Sequence, residues 1–500
     1  MQKTIGIIGA GVAGLTAAAY LIRAGYRVTV LDKAHYPGGS AGYYLRKGRA
    51  YPTGATIAFG LEPDGSLRRL LDELGVQVPF HRLDYPMDIV LSAGTVALYR
   101  ERERWEAELA EFFPERRQAV LAFWHHLARI ADTVLLVNAA RPALPPARLY
   151  DLGSLPRLAL SHPLRMLKLV PHGLRTVEGL LRRYGLTADE NLRQLLNVQL
   201  IDAAQTDATA AALLPSSVAL DIYRRGSFAV EGGLGGLAVA LCRHVTEHGG
   251  NVMLGSAVER LSYDPDRKQW EVAAKRGSFR FDAVVNAAGT PLLEEEREAI
   301  QQRAPEQNVW GALRIDALVA AAIAGETVRR GGGTDLPFAW QIAPEEEHEL
   351  LFGDAHGPVY ITLQPALDSK LQPIEGELMM TASVHTEISR WLEPGREVYE
   401  ERKAAAEKYI MEQAERVLPT LFQRLLSSST GTPRTYRRFI GKAAVGGSPL
   451  TVHNSLLRPQ GSRSSLPHYY YAGENVFPGP GTMSAMLSGC YAARAITHEE

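Results

Sequence analysis

The stretch Thr4-Ile-Gly-Ile-Ile-Gly-Ala-Gly-Val-Ala-Gly14 decides how this chain begins to fold. Thr4–Ile8 is a short apolar run rich in β-branched residues, which predicts a strand. Gly9, Gly11 and Gly14 follow with the spacing G-x-G-x-x-G. In that spacing Gly9 permits a tight turn, Gly11 lets a pyrophosphate approach the backbone, and Gly14 lets a helix pack closely on the strand. Leu15–Ala24 is rich in Ala and Leu and predicts a helix, stopped by Gly25. Arg27-Val-Thr-Val-Leu31 predicts the second strand, and Asp32 stands at its end, eighteen positions past Gly14. An acid there suits a ribose hydroxyl and disfavours a 2′-phosphate. The helix start supplies free N–H groups and positive potential to phosphates, so Gly9, Ala10, Gly11, Val12, Ala13, Gly14 and Asp32 are candidate dinucleotide-binding residues.

Working outward, Pro37-Gly-Gly-Ser-Ala-Gly42 and Gly54-Ala-Thr56 follow within a few tens of residues. Residues 100–147 read as charged helices ending in Arg141-Pro-Ala-Leu-Pro-Pro146. Glu231-Gly-Gly-Leu-Gly-Gly236 opens a further helical pattern but lacks G-x-G-x-x-G, so no separate NAD(P)H site is predicted. Asn251–Glu271 reads as strand, turn, strand, turning at Asp264-Pro-Asp266, and Phe281–Gly289 as a buried strand entering a glycine turn. Strands are predicted at Val359–Leu363 and Glu377–Ser383, and a long helix over Glu397–Val417. The tail predicts a strand at Tyr469–Tyr471, a Gly/Pro-rich loop and a closing helix; a short glycine run falls at Gly331–Gly333.

Five hundred residues allow two or three domains, and 46% hydrophobic with 22% charged residues is ordinary for a globular chain. A formal net charge of -1 gives no electrostatic case for nucleic acid. Cys242 and Cys490 lack any ligand spacing and read as buried or partly buried thiols of a reduced compartment, so neither a metal nor a disulfide is expected. Met1-Gln-Lys leads straight into the first strand instead of a secretory signal, and no uncharged apolar run of about 18 residues predicts a spanning helix.

These motifs together resemble the carotenoid desaturase branch of the amine oxidase superfamily. The likeness runs through Asp32-Lys-Ala-His-Tyr-Pro-Gly-Gly39, Gly60-Leu-Glu-Pro-Asp-Gly65, Ala203-Ala-Gln-Thr-Asp207, Val230-Glu-Gly-Gly233, Ser383-Val-His-Thr386 with Trp391, Gly431-Thr-Pro-Arg-Thr435 and Ala472-Gly-Glu-Asn-Val-Phe-Pro-Gly-Pro-Gly-Thr482. Within the branch it looks most like bacterial carotenoid 3′,4′-desaturases. The resemblance implies an α/β fold: a Rossmann-like FAD-binding domain of the GR2/amine oxidase-like kind, with an inserted α+β substrate domain. It implies FAD as cofactor. The FAD-binding domain would comprise 1–75, 225–290 and 435–500, and the substrate domain 76–224 and 291–434. By the same resemblance, Lys33, Gly38, Gly39 and Ser40 run close to the flavin chain, and Gly54, Ala55 and Thr56 beside the isoalloxazine. Val258 returns to the adenine and Ala288 lies near the nucleotide. Gly473 and Glu474 reach the ribityl hydroxyls, and Gly481, Thr482 and Met483 aim a helix start at the flavin pyrimidine edge. Two departures stand out. Tyr51-Pro-Thr53 occupies a place where many relatives carry an acid, and Gly-Glu-Asn replaces Gly-Asp-Asn in the tail.

The resemblance implies an enzyme that desaturates a carotenoid or similar polyene by hydride transfer to flavin N5, with oxygen or a quinone as final electron acceptor. Alternatives are cis–trans isomerisation or saturation by reduced flavin, amine oxidation behind an aromatic cage to which Tyr469–Tyr471 are candidates, and a non-catalytic lipid carrier. No residue is assigned as catalytic base; His385 and Arg434 read as structural. A polyene substrate calls for membrane contact. In 155–185, Leu155, Leu158, Leu160, Leu164, Met166, Leu167, Leu169, Val170, Leu174, Leu180 and Leu181 are interleaved with Arg157, Arg165, Lys168, Arg175, Arg182 and Arg183. Pro156, Pro163 and Pro171 should split this segment into short helices; the competing reading is a buried helix pair with solvated arginines. The expected location is the cytoplasm, peripheral to the inner face of the membrane.

Overall fold

Thr4–Ile8 and Arg27–Leu31 are parallel neighbours, joined by a helix at Val12–Arg23. The helix starts three residues before the predicted Leu15, because Gly11 in extended conformation (φ −68°, ψ 168°) already serves as its N-cap. Gly25 at φ +91° ends it, as a left-handed glycine does after a helix. The computed structural model describes residues 2–303, 310–321, 337–353 and 357–498. Gly331–Gly333 lie outside the described residues.

Around the first two strands forms a five-stranded parallel sheet in the order Asn251–Met253, Arg27–Leu31, Thr4–Ile8, Ala283–Asn286, Tyr469–Tyr471. The helices Val12–Arg23, Gly233–Glu247 and Thr482–Thr497 pack on one face around Ile5, Ile7, Leu15, Leu241 and Met486. An antiparallel sheet of three strands, Val258–Asp264, Gln269–Ala274 and Gly277–Phe281, covers the other through Trp270, Val272 and Phe281. Both faces are therefore dry, as a parallel sheet requires. The two predicted strand runs here each divide in two. Gly255 (φ +66°) separates Asn251–Met253 from Val258–Asp264. Asp282, whose carboxylate accepts the Thr4 N–H and O–H, separates Phe281 from Ala283.

The second large unit is a nine-stranded sheet. Its main path runs Leu425–Gly431, Trp310–Ala320, Pro373–Glu387, Val359–Asp368, Ala339–Ile342, Met87–Leu91, Gly94–Leu98. The hairpin Tyr43–Arg46/Arg49–Pro52 joins it through Val359–Asp368. Strands 359–368 and 373–387 overrun their predicted ends because each pairs along most of its length. On one face Leu313, Ile315, Trp340, Ile361, Ala382 and Val384 pack against the helix Arg396–Val417. A helical cap, including Arg102–Phe112, Arg117–Ala139, Glu190–Ala204 and Leu213–Arg225, stands beside the other face around Trp105, Phe123, Leu127, Leu195 and Leu220. Arg117–Ala139 is long and apolar enough to cross a membrane, but Val120, Phe123, Trp124, Leu127 and Ile130 are buried in this core.

Candidate active site

All five parallel strands end at the same edge, and the sequence motifs hang from those ends. Ile8 leads into Gly9–Gly14, Leu31 into Asp32, Met253 toward Ser256 and Val258, Asn286 into Ala287–Gly289, and Tyr471 into Gly473 and Glu474. The chain departs from Thr4–Ile8 to one side and reaches Ala283–Asn286 on the other, so the first glycine turn sits at a topological switch point, the usual ligand crevice of an open α/β sheet.

The local geometry explains the residue types. Gly9 has φ +114°, and a Cβ there would lie 2.5 Å from the Ala287 carbonyl oxygen, next to Ala288. A Cβ on Gly14 would lie 2.0 Å from the Gly9 carbonyl oxygen. On Gly11 the nearest atom to a Cβ would be the Gly38 carbonyl oxygen at 3.9 Å, which leaves open space. Gly38 donates to the Ala10 carbonyl (2.8 Å), which sets the second glycine turn against the first. Asp32 accepts from the Ala10 N–H (2.6 Å) and the Ala34 N–H (2.7 Å), and its own carbonyl accepts from Ser256 (2.7 Å). Burial raises the Asp32 pKa against the pull of those N–H groups, and burial lowers that of Lys33. Thr53 donates its N–H to the Gly42 carbonyl (3.1 Å) and its hydroxyl to Gly39 (2.6 Å), and a Cβ on Gly54 would lie 2.5 Å from the Ser40 carbonyl oxygen. Ser40, Gly54, Ala55 and Thr56 are thereby held in one knot of backbone.

At the tail, Gly473 (φ +131°) and Gly481 (φ +97°) have nothing within 4 Å of where a Cβ would be. Thr482 opens the closing helix and Met483 packs against Gly60. The Glu474 carboxylate forms an ion pair with Lys442, a residue the sequence reading did not single out. The open ground over Gly11, Gly473 and Gly481, the free N–H groups opening Val12–Arg23 and the acids Asp32 and Glu474 suit a dinucleotide.

Beside this edge lies the second face of the nine-stranded sheet. Register places Gln341, Tyr360, Ser383 and Arg314 in one cross-strand row, and Ala339, Thr362, Thr381 and Asp316 in the next. Arg314 binds Asp316 (2.8 Å) and donates to the Gly54 carbonyl (2.9 Å), which joins this face to the nucleotide edge. Tyr44 donates to Asp316 (2.9 Å). Burial lowers the Arg314 pKa, but Asp316 outweighs it and the net shift is upward. Asp202, Tyr360, His385 and Tyr436 lie deep in the molecule, none of them fully covered, on or beside this sheet face, where a substrate chamber would lie. Burial raises the Asp202 pKa to about 6 and lowers that of His385 to about 4.

Residues 12–322 match the pattern of the flavin containing amine oxidoreductases. The chain belongs to that family. Prolycopene isomerase of carrot, Daucus carota, is 22% identical over 98% of this chain and 79% of its own. Hydroxyneurosporene desaturase of Cereibacter sphaeroides is 26% identical over 98% and 96%. In fold, the chain is similar to an oxidoreductase of Methanosarcina mazei (TM-score 0.60, 16% identity, 97% of this chain and 99% of that one). It is equally similar to cyclohexylamine oxidase of Brevibacterium oxydans (TM-score 0.60, 16% identity, 100% and 99%). The expected α/β, Rossmann-like fold and the resemblance to carotenoid-modifying enzymes are borne out, and the protein is a flavin-dependent oxidoreductase.

Three readings are sharpened. Tyr469 and Tyr470 are buried within the parallel sheet, Tyr469 against Trp270 at 5.0 Å between ring centroids, so they form no cage in the chamber. Arg434 donates to the Pro394 carbonyl and stacks on Tyr399, which is structural work, whereas His385 lies on the same sheet face as Ser383 and Arg314. In the 155–185 segment, prolines do open short helices, Leu155–Ser161 and Pro163–Leu169. Leu160 (84%), Leu164 (71%), Leu167 (67%), Val170 (71%) and Leu174 (70%) are exposed. Leu180 and Leu181, assigned to the same apolar surface, are instead buried in the cap because Val177–Arg183 turns inward.

Proposed function

We propose that the protein binds FAD along the edge of the parallel sheet and desaturates a carotenoid or similar long polyene in the adjoining chamber. The observation that carries this reading is the contact of Arg314 with Gly54, which seats the chamber at the turn expected beside the isoalloxazine. The relatives' activities on prolycopene and hydroxyneurosporene support the substrate class. In this reading the chain divides as 1–75, 225–290 and 435–500 for FAD, and 76–224 and 291–434 for substrate.

The pyrophosphate is met by the free N–H groups of Val12, Ala13 and Gly14, with Ala10, Gly11, Gly38 and Gly39 giving it room. Asp32 holds the adenosine ribose beside Lys33, with Val258 and Ala288 at the nucleotide's other contacts. Gly473 and Glu474 take the ribityl chain, and Gly481, Thr482 and Met483 bring a positive helix end to the pyrimidine. Bound flavin supplies a two-electron acceptor at N5, later reoxidised by oxygen or a quinone. The chain's own part is alignment and exclusion of water: Tyr360, Ser383 and Thr381 floor the chamber, and the helical cap closes it. We further propose that the exposed leucines of 149–174, with Arg157, Arg165, Lys168 and Arg175, rest on the anionic inner face of the cytoplasmic membrane.

The first test is spectroscopic. Released cofactor whose fluorescence rises on phosphodiesterase treatment would identify FAD. Anaerobic mixing with a carotenoid in liposomes should bleach the flavin band while the polyene spectrum moves to longer wavelength. A carotenoid that only changes geometry, with the flavin unbleached, would favour the isomerase reading that the carrot relative suggests. An unchanged polyene would remove the substrate assignment.

A further inference from the structure

Asp202 closes the helix Glu190–Ala204, just before Gln205 in left-handed conformation (φ +57°). That helix end is pinned to the tail. A Cβ on Gly446 would fall 2.4 Å from the Gln205 carboxamide, and one on Gly447 would fall 2.5 Å from the Glu474 carbonyl oxygen. From this position the Asp202 carboxylate faces the sheet. The buried Gln341 amide donates to it weakly, at 3.4 Å. The titratable groups facing it are Tyr223 of the helix Leu213–Arg225 and Tyr360 of the sheet. Arg224 acts on Tyr223 and Arg314 on Tyr360, and among the described residues no cation pairs with Asp202 itself. Tyr360 is in register with Ser383 and Ser383 with Arg314, which donates to the Gly54 carbonyl, so the phenol beside Asp202 and the expected isoalloxazine turn are joined by one cross-strand row. A deep carboxyl with one weak donor and no counter-ion destabilises a fold, and such groups cluster where protons are moved.

We infer that Asp202 is the acid–base residue of the chamber, exchanging a proton with the polyene carbon next to the one that gives up hydride. The inference rests on the polyene reading above. On one carbon a C–H bond breaks and its hydrogen leaves with both electrons to the flavin as oxidant. On the adjacent carbon a C–H bond breaks, the proton passes to the Asp202 carboxylate, and the electron pair left behind becomes the new C=C bond. The substrate loses two protons and two electrons, one proton with both electrons as hydride to the flavin and the other proton to Asp202.

The sign of the pH dependence follows. The folded pKa, about 6, exceeds the ordinary value of 3.8. Between those values the folded state keeps a proton that the unfolded chain releases, so this group's penalty to stability grows as pH rises through the window and is complete above it. Activity should rise through about pH 6 as the base becomes ionised.

The test uses the flavin-loaded enzyme, wild type and Asp202→Asn. Three quantities are read: anaerobic bleaching by carotenoid liposomes from pH 5 to 8, deuterium returned to the carotenoid carbon from the Asp202 carboxyl when the step runs in reverse in D2O, and the thermal midpoint at pH 5 and 8. The expected result is a bleaching rate lower by a factor of about 10²–10⁴, no acid limb and no deuterium. The midpoint should rise more at pH 8 than at pH 5, as loss of a buried, unpaired carboxylate requires, while loss of the acid limb and of deuterium exchange is what a merely structural carboxylate would not give. Asp202→Glu, which keeps the acid, should retain deuterium exchange and the acid limb even if the Asn variant folds poorly. Wild-type-like bleaching and exchange in Asp202→Asn would overturn the assignment, as would an acid limb that survives there and vanishes in His385→Gln. A wild-type enzyme inert to the carotenoid would instead sink the polyene reading, and the role of Asp202 with it.

Discussion

Along the edge of the parallel sheet the candidate site is made of backbone: glycine turns, helix starts and N–H groups, with Asp32 and Glu474 as the acids. On the face of the nine-stranded sheet it is made of side chains: Arg314, Asp316, Tyr360, Ser383, Gln341. The first arrangement asks for missing side chains, so its errors are steric. The second asks for buried charges and hydroxyls in mutual contact, so its errors are electrostatic. Mutations should separate the two accordingly.

The largest effect is expected on the second face. Arg314 and Asp316 are an ion pair with each side chain 7% exposed. Arg314→Met leaves Asp316 buried without its cation, which costs about 3–5 kcal/mol. It also removes the donor to the Gly54 carbonyl, so flavin retention should fall with stability. The double variant Arg314→Met/Asp316→Leu should recover most of the stability and not the flavin. Chemical denaturation of the single and double variants, followed by flavin absorbance, reads both. A single variant as stable as wild type would mean the pair contributes nothing and the two regions are not electrostatically joined.

The next effect contrasts two glycines three positions apart. A Cβ on Gly14 would meet the Gly9 carbonyl oxygen at 2.0 Å, so Gly14→Ala must displace helix or strand, at about 3 kcal/mol. Gly11→Ala meets nothing closer than 3.9 Å and keeps an extended φ of −68°, so stability should change by less than about 0.5 kcal/mol. Flavin affinity should nevertheless fall at least tenfold, because the open ground over Gly11 is where the pyrophosphate is proposed to lie. Titration of apoprotein with FAD, beside thermal midpoints, distinguishes them. A Gly11→Ala protein with unchanged affinity would move the pyrophosphate elsewhere.

The same contrast explains what could be read in the sequence. Gly9–Gly14, Asp32, the Gly38–Gly39 turn and the 472–482 loop are local patterns, because a backbone cradle needs consecutive residues with special conformations. Such patterns suffice to place the parallel sheet and its edge. The chamber floor has no such signature. Gln341, Tyr360, Ser383 and Arg314 become neighbours only through strand register across residues 310–387. Asp202 lies one residue before a stretch marked for its likeness to carotenoid desaturases, and nothing local separates it from Asp207, which caps its own turn by accepting from Thr209. Lys442 was illegible for the same reason, since its partner Glu474 is 32 residues away.

The smallest stability effect, and the sharpest contrast within one segment, concerns 155–185. Leu160, Leu164, Leu167 and Val170 are 67–84% exposed, while Leu180 and Leu181 are 0% exposed in the cap. Replacing the first four by Ser together should leave the thermal midpoint nearly unchanged, because each site contributes no more than about 0.5 kcal/mol to folding. Leu180→Ala should cost about 2–5 kcal/mol. On vesicles the order reverses. Each exposed leucine that enters the interface contributes on the order of 1 kcal/mol, so the fourfold variant should partition at least a hundredfold less to anionic vesicles, and Leu180→Ala should bind as wild type. Arg157, Arg165, Lys168 and Arg175 add roughly 1 kcal/mol each near an anionic surface, and salt screens that part. Co-sedimentation with anionic and with zwitterionic vesicles, at low and high salt, resolves the two contributions. If wild type stays in the supernatant under all four conditions, the exposed leucines serve another partner and the membrane proposal fails. If it sediments and the fourfold variant does so equally, the contact lies elsewhere on the surface.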